Sequence, residues 1–295
     1  MTSADLAMVR SSADLVGRAH PTAHATDFQD LNDAELARAR SKRLRGRLLG
    51  IAGFLGIGIV LIGGWEWAVR AGHINPRLAP APSDIVAHLP TVLTASYFPK
   101  HLMVTVQELV IGFCLGVFLG VALGTLVSLS DFCRAVIQPY VLALEAPPKA
   151  LLAPLFVTLF GFGITSKVVM AVIIAFFPLF VGTVAGLSAL NPDAERLMKS
   201  LNASRAQVFM KVRFPNALPL MASGIRLCWT LTVTGVIVAE FVGAQAGLGF
   251  LLNSFNFQSD ILGVFSVIVL LALGTVTVYW LLEFLERRIV FWERI

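Results

Sequence analysis

Six apolar runs, each of about 20 residues, divide this chain, and no other feature limits its fold as much. A run of that length crosses the hydrocarbon core of a bilayer as a helix. Lipid offers no hydrogen-bond partners, so each backbone amide and carbonyl must be satisfied within its own segment, as it is in a helix. The runs lie at 48–69, 102–126, 135–160, 165–187, 220–242 and 261–285. Charged residues make up only 14% of the chain and hydrophobic residues 57%, where a soluble domain carries roughly 25% charged residues. The sequence predicts an all-α polytopic membrane protein with six transmembrane helices.

The cations then orient the spans. Residues 1–34 are rich in Ala, Asp, Ser and Thr and read as disordered. Six cations follow, Arg38, Arg40, Lys42, Arg43, Arg45 and Arg47, directly before the first run. Nucleic acid could attract such a patch, but its place beside a span fits a positive-inside anchor. The first run is about 22 residues long with no small-residue cleavage pattern after it, so it reads as a retained span and not a secretory signal. With both ends inside, the inner segments hold 17 Lys and Arg and the outer segments 3. This gives a cytoplasmic tail over 1–47 and a transmembrane domain over 48–295. Cys114, Cys133 and Cys228 have neither disulfide nor metal spacing, and no metal is expected.

Along the chain, Trp65 and Trp67 close span 1 as interfacial aromatics. Ser83 is placed to cap a short helix with Ile85, Leu89, Val92 and Leu93 on one side. In span 2, Gly112, Gly116, Gly120 and Gly124 share one face and read as a packing seam. Glu108, near its outer end, reads as reaching the headgroups. Ser128–Arg134 reads as an inner turn. Span 3 is interrupted by Glu145-Ala-Pro-Pro-Lys149, where paired prolines break the hydrogen-bond ladder. Glu145 and Lys149 have the spacing of an intrahelical ion pair. Span 4 contains Pro178 as a kink and Gly182/Gly186 as a close-packing pair. On span 5, Ser223, Leu227, Thr230 and Thr234 share a face. Their hydroxyls either bond back to their own helix or line a polar path. Glu240 sits near the outer end of this span, and 243–260 reads as an outer loop. Glu145, Pro147, Pro148, Lys149, Ser223, Thr230 and Thr234 are the candidate translocation-path residues, because ionisable groups and broken backbone inside a membrane are expensive.

One stretch stands apart, the polar island 191–219 between spans 4 and 5. Asn191 is a good N-cap with Pro192 at the first helical position. Asp193 and Glu195 suit the positive end of the helix dipole. Asn202 suits the left-handed residue that ends a helix. Ser204 and Gln207 form a capping box that starts a second helix, to which Phe209, Met210 and Val212 lend apolar contacts. Pro215 is expected to block its continuation, and Pro219 to precede span 5. A plain connector needs only a few residues. Two short capped helices around a sharp bend read either as an interfacial helix pair lying on the headgroups or as a docking surface for a cytoplasmic partner.

The island resembles the loop of binding-protein-dependent ABC importer permeases, whose consensus is E-A-A-x3-G-x9-I-x-L-P. On that spacing the E-A-A falls on Arg196, Leu197 and Met198, the Gly on Asn202, and I-x-L-P on Val212-Arg213-Phe214-Pro215. Every spacing matches. The first half departs in its side chains, and Arg196 reverses the charge of the usual Glu. PAPSDIV, PPKALLAPLFVTLFGFG, AFFPLFVGTVAGL and VAEFVGAQAGLGFLL extend the resemblance over about 78–292, to the nitrate/sulfonate/taurine group and its branch for thiamine-precursor pyrimidines and riboflavin-like compounds. The resemblance implies the type I ABC importer permease (MetI-like) fold in the bacterial inner membrane, both termini cytoplasmic. It implies that Asp193, Glu195, Arg196, Met198, Leu201, Asn202, Ala203, Ser204, Gln207, Phe209, Lys211, Val212, Phe214 and Pro215 couple to ABC ATPase subunits. A second permease subunit and an extracytoplasmic solute-binding protein complete the assembly. The solute would be a small organic compound: a sulfonate, a nitrate-like anion, or a pyrimidine, riboflavin-like or aromatic compound.

The chain lacks a G-x-x-x-x-G-K-[ST] phosphate loop, so it is expected to bind no cofactor and to leave ATP to the partner. Two other classes compete. An ion-coupled secondary transporter would use Glu145, Lys149 or Glu240 as coupling groups, but no inverted repeat accompanies them. A membrane-embedded enzyme would need polar groups converging inside the spans, and only scattered ones are visible.

Overall fold

A computed structural model describes residues 45–46, 49–50, 52–189 and 192–291. The expected N-cap Asn191 lies outside them, as do most of the 1–47 tail and all of its basic residues except Arg45. The described residues contain helices and turns and no strand. They fall into two units, Met1–Ala71 and Gly72–Ile295. In the first, α1 (Ala52–Arg70) is 19 residues long. It closes on a Glu66–Arg70 ion pair of 3.0 Å, one turn apart.

The second unit runs α2 (Pro82–Leu93), α3 (Phe98–Leu129), α4 (Asp131–Glu145), a 3-10 turn (Lys149–Leu152), α5 (Ala153–Phe160), α6 (Ile164–Ser188), α7 (Pro192–Ser200), α8 (Arg205–Gly243), α9 (Leu248–Phe257) and α10 (Ile261–Ile289). Five described helices, α1 among them, are long and apolar enough to cross a membrane. A sixth span results if α4 and Lys149–Phe160, bent by 87°, count as one broken crossing. The paired prolines therefore do more than kink span 3, because neither Pro147 nor Pro148 can donate to the ladder. The expected turn 128–134 contracts to Ser130. Its hydroxyl accepts from the Cys133 amide at 3.3 Å and starts α4 at once.

Helix α6 is the centre. Met170, Ala171, Ala175 and Leu179 on it are fully buried. On one side passes the glycine face of α3, where a β-carbon on Gly124 would come 2.6 Å from Thr183 Cβ. On the other passes α8, where a β-carbon on Gly235 would come 2.7 Å from Ala171 Cα and one on Gly186 2.9 Å from Ala217 Cα. Helices in lipid gain no hydrophobic drive by meeting each other, so close backbone approach through small residues must supply the contact. Ala175, Leu179, Leu187, Ala217, Met221 and Cys228 form the core between α6 and α8.

A second apolar core joins Val92 of α2, Phe98 of α3, Val267 of α10 and the Leu248, Leu251, Leu252 and Phe255 side chains of α9. The segment 243–260, expected as a loop, thus contains a packed helix of 10 residues. Asp260 caps the next helix, accepting from the Gly263 amide at 3.0 Å. Ser83 does not cap α2. The helix starts two residues earlier than that cap would give, with Ala81 at the N-cap and no side-chain cap bond, because Pro82 fits the first turn without needing an amide partner. Leu93, expected on the apolar face, is exposed.

Candidate functional site

The polar island folds as a bend. The Leu201 amide donates to Leu197 O at 3.1 Å and the Ala203 amide to Met198 O at 3.0 Å, satisfying carbonyls that α7 leaves open. Asn202 between them has φ +56°, the left-handed conformation. The capping box is formed: Ser204 Oγ accepts from the Gln207 amide at 3.3 Å, and Gln207 Oε1 accepts from the Ser204 amide at 2.8 Å.

The expected stop at Pro215 is absent. Helix α8 continues through it to Gly243 for 39 residues. The reason is a wide turn over Phe209–Arg213, in which the Phe214 amide donates to Phe209 O. Such a π-turn opens the backbone ahead of the proline ring, which in a regular helix would strike the carbonyl four residues back. The same widening leaves Met210 exposed, where an apolar contact was expected. Phe209 and Phe214 turn inward onto the α6–α8 core, with ring centroids 6.3 Å apart. Asn216 Nδ2 donates to Ala189 O at 2.5 Å, tying the start of α8 to the end of α6.

The bend presents Leu197, Leu201 and Met210, each about 60% or more exposed on fixed backbone. Arg196 lies 3.6 Å from Asp193 with both side chains largely exposed, so the pair leaves its charges open to a partner. Lys211 is exposed; Val212 and Arg213 are half-buried. A recess of about 440 Å3 opens beside it, bounded by Glu195, Ala203, Arg205, Phe209 and Arg213. Apolar side chains ringed by charges on rigid backbone are what a docking protein requires.

The candidate path residues do not form one cluster. Lys149 Nζ donates to Glu145 Oε2 at 2.6 Å, and both are half-buried. The pair is not intrahelical: Glu145 ends α4 and Lys149 begins the 3-10 turn, so it bridges the break while Pro147 and Pro148 stay exposed. Ser223 Oγ donates to Leu220 O at 2.8 Å, Thr230 Oγ1 to Arg226 O at 3.3 Å and Thr234 Oγ1 to Thr230 O at 3.1 Å. All three hydroxyls return to their own helix. Thr230 and Thr234 nevertheless stay exposed on one face of α8 with Leu227.

Sequence reasoning missed a polar cluster at the other end of α8. Glu108 does not reach outward; it is 2% exposed, beside Glu240 at 1%, Thr105 at 1% and Lys167 at 2%. The signal available was Gly247-Leu-Gly249, a tight turn shortly after Glu240 that only a close neighbour explains. Further back along α8, toward the bend, rungs join it to α10: Trp229 Nε1 donates to Thr275 O at 3.0 Å, and Arg226 pairs with Glu286 at 2.9 Å beside the Tyr279 ring.

Residues 112–291 match the family model described as the binding-protein-dependent transport system inner membrane component. The formylaminopyrimidine transport permease protein ThiX of Halalkalibacterium halodurans is 34% identical over 230 residues, 77% of this chain and 91% of that protein. The riboflavin transport system permease protein RibX of Chloroflexus aurantiacus is 30% identical, over 78% of this chain and 85% of that protein. The taurine transport system permease protein TauC of Escherichia coli is also 30% identical, over 79% and 87%. Among solved structures, a chain of the MetNI methionine ABC transporter in an inward-facing form has the same fold. Its TM-score is 0.53 at 20% identity, over 64% of this chain and 92% of that one. A chain of an amino acid ABC transporter crystallised with histidines gives a TM-score of 0.53 at 19% identity, over 70% and 97%. These likenesses do not favour an ion-coupled secondary transporter.

Proposed function

The chain belongs to the binding-protein-dependent transport system inner membrane components, permease subunits of ABC importers for small solutes, and we propose that the bend at 192–215 is where a separate ATPase drives it. One observation carries this reading. The bend is rigidly capped on its outer surface, anchored inward by Phe209 and Phe214, and continuous with the spanning helix α8. A load applied to Leu197, Leu201 and Met210 therefore moves a span. ATP is bound and hydrolysed on the partner chain, and this chain holds no cofactor of its own.

The charge bias of 17 inner to 3 outer cations supports a multi-pass inner-membrane placement with both termini and the bend cytoplasmic. The tail 1–47 then lies on the ATPase side. The unpartnered face of Leu227, Thr230 and Thr234 supports a second permease subunit across a shared path. Glu145, Pro147, Pro148, Lys149 and Ser223 contribute to that path by keeping the broken span hydrated. A solute-binding protein delivers the cargo from outside. The cargo is a nitrogen-ring compound of the pyrimidine or riboflavin kind, a choice supported by the 34% likeness to a formylaminopyrimidine permease.

Two experiments test this. Co-expression with its ATPase subunit is expected to give a complex that hydrolyses ATP, and Leu201→Asp with Met210→Asp is expected to release the ATPase while the permease stays folded. Retention of the ATPase by that double variant would overturn the docking surface. Calorimetry of the solute-binding protein that stimulates the complex, with formylaminopyrimidine, riboflavin and taurine, tests the cargo; binding of taurine alone would overturn the nitrogen-ring assignment.

A further inference from the structure

Helix α8 has the bend at its first turn and Glu240 close to its last. At 1.5 Å per residue the two lie about 50 Å apart on one unbroken rod. What the rod meets at the Glu240 end is therefore where motion received at the bend arrives.

Glu240 makes a connected set of bonds there. Its Oε1 accepts from Thr105 Oγ1 of α3 at 2.6 Å. Its Oε2 accepts from the Gly249 amide in the first turn of α9 at 2.6 Å. Thr105 Oγ1 in turn accepts from the Leu248 amide at 2.7 Å, and His101 Nδ1, also on α3, accepts from the Gly247 amide at 3.0 Å. Three successive amides that open α9 are thus held by α3 and α8. The turn is shaped around the carboxylate: Gly247 has φ +124°, and a β-carbon on it would lie 2.3 Å from Glu240 Cδ. Lys167 of α6 is buried with the cluster and donates to the Phe162 and Gly163 carbonyls, closing the α5–α6 turn. Glu108 completes the cluster. Its Oε2 is left with no partner.

Stability alone does not account for this arrangement. Burying carboxyls costs several kcal/mol each, and apolar side chains of similar volume hold helices together at least as well. What a satisfied polar network adds is a single register. Apolar contacts such as those of Leu248, Leu251, Leu252 and Phe255 with α2, α3 and α10 are non-directional. The bonds to Glu240 and Thr105 add the direction that fixes how the first turn of α9 sits.

We propose that Glu240, with Thr105, is a positioning residue for transport: it locks α9 to the far ends of α3 and α8, so that motion entering at the bend moves α9 and the face it covers. This rests on the bend being the ATPase dock. It assigns the far end a part in the transport cycle that is distinct from docking and from lining the path.

The test uses the complete transporter, permease with ATPase and solute-binding protein, in proteoliposomes. Thr105→Val removes the hydroxyl at nearly constant volume, and Thr105→Ser restores it. Expected for Thr105→Val and for Glu240→Gln are an intact complex, unchanged basal ATP hydrolysis, and stimulation by the binding protein lowered about tenfold. Thr105→Ser should return the stimulation to that of the parent. A purely structural role would lower yield and melting temperature and leave stimulation per folded complex unchanged; that result overturns the proposal. A second readout needs no ATPase. With Cys114, Cys133 and Cys228 replaced by serine or alanine, spin labels at Val86→Cys on α2 and Phe257→Cys on α9, both exposed positions, should give one narrow distance in the permease alone and a broad one once Thr105→Val is added. A narrow, unchanged distance also overturns it. Because this readout is made on the isolated permease, it separates failure of the lock from failure of the docking bend, which the Leu201 and Met210 variants report.

Discussion

The two ends of α8 use the same kinds of residue to opposite effect. At the bend, Asp193, Arg196 and Lys211 are solvent-facing charges on backbone that is fixed by its own local hydrogen bonds. At the far end, Glu240, Glu108 and Lys167 are buried; Glu240 takes its partners from α3 and α9, and Lys167 donates to carbonyls of the turn before its own helix. An exposed charge is inexpensive and stays available to another protein. A buried one must be satisfied within the fold, so it fixes neighbours instead of attracting partners. One end is a surface to be gripped and the other a joint already closed.

Four substitutions press on that contrast. The largest effect belongs to the seam that holds the rod between its ends. Gly235→Leu would drive a side chain into Ala171 backbone, where overpacking costs about 1–3 kcal/mol even in cores that can adjust. Loss of folded protein from the membrane fraction is expected; a normal yield and melting temperature would break the picture of α8 as a rod seated on α6.

Next comes Glu240→Ala, which leaves the Gly249 amide and the Thr105–Glu240 bond without their acceptor, at about 1–3 kcal/mol for each orphaned group. Thermal unfolding of the purified permease should shift down clearly, and hydrogen exchange should rise at Leu248 and Gly249 first. Exchange unchanged at those amides would mean that the far end is not closed by this carboxylate.

Asn202→Val should cost about 1–2 kcal/mol at the bend, because a β-branched side chain is strained at φ +56°. Its effect should appear as roughly tenfold weaker ATPase retention with little change in the melting of the bundle, and Asn202→Gly should retain the partner normally. Equal retention by the valine and glycine variants would separate the bend from docking. The smallest structural effect is expected for Arg196→Ala. Its ion pair is exposed, so melting should not change, and any loss should be confined to ATPase affinity. A fall in melting temperature would show that this end also serves the fold.

The contrast extends to what could be read from the chain. The bend was legible because its determinants are local. An N-cap hydroxyl, a glutamine three residues on and an asparagine at the helix end act over a few peptide units, and Ser204, Gln207 and Asn202 take those roles. The ion pair of Glu145 and Lys149 was legible for the same reason, although its setting across an 87° break was not. The continuation of α8 through Pro215 was missed because a proline has two outcomes, a stop or a widened turn. Which one wins depends on whether Phe209 and Phe214 find a core to enter.

The sequence by itself therefore determined that this is a helical membrane protein and that a capped bend precedes the fifth expected span. Length, apolarity and capping chemistry act along the chain. Only the tertiary structure decided that Glu108 turns inward, that Thr105 meets Glu240 across 135 positions, and that 243–260 contains a packed helix. The reason is the solvent. Lipid and protein interior are equally apolar, so composition does not say which face of a span meets another helix. That is settled by where Gly112 to Gly124, Gly186 and Gly235 let backbones approach, and the buried charges follow from it.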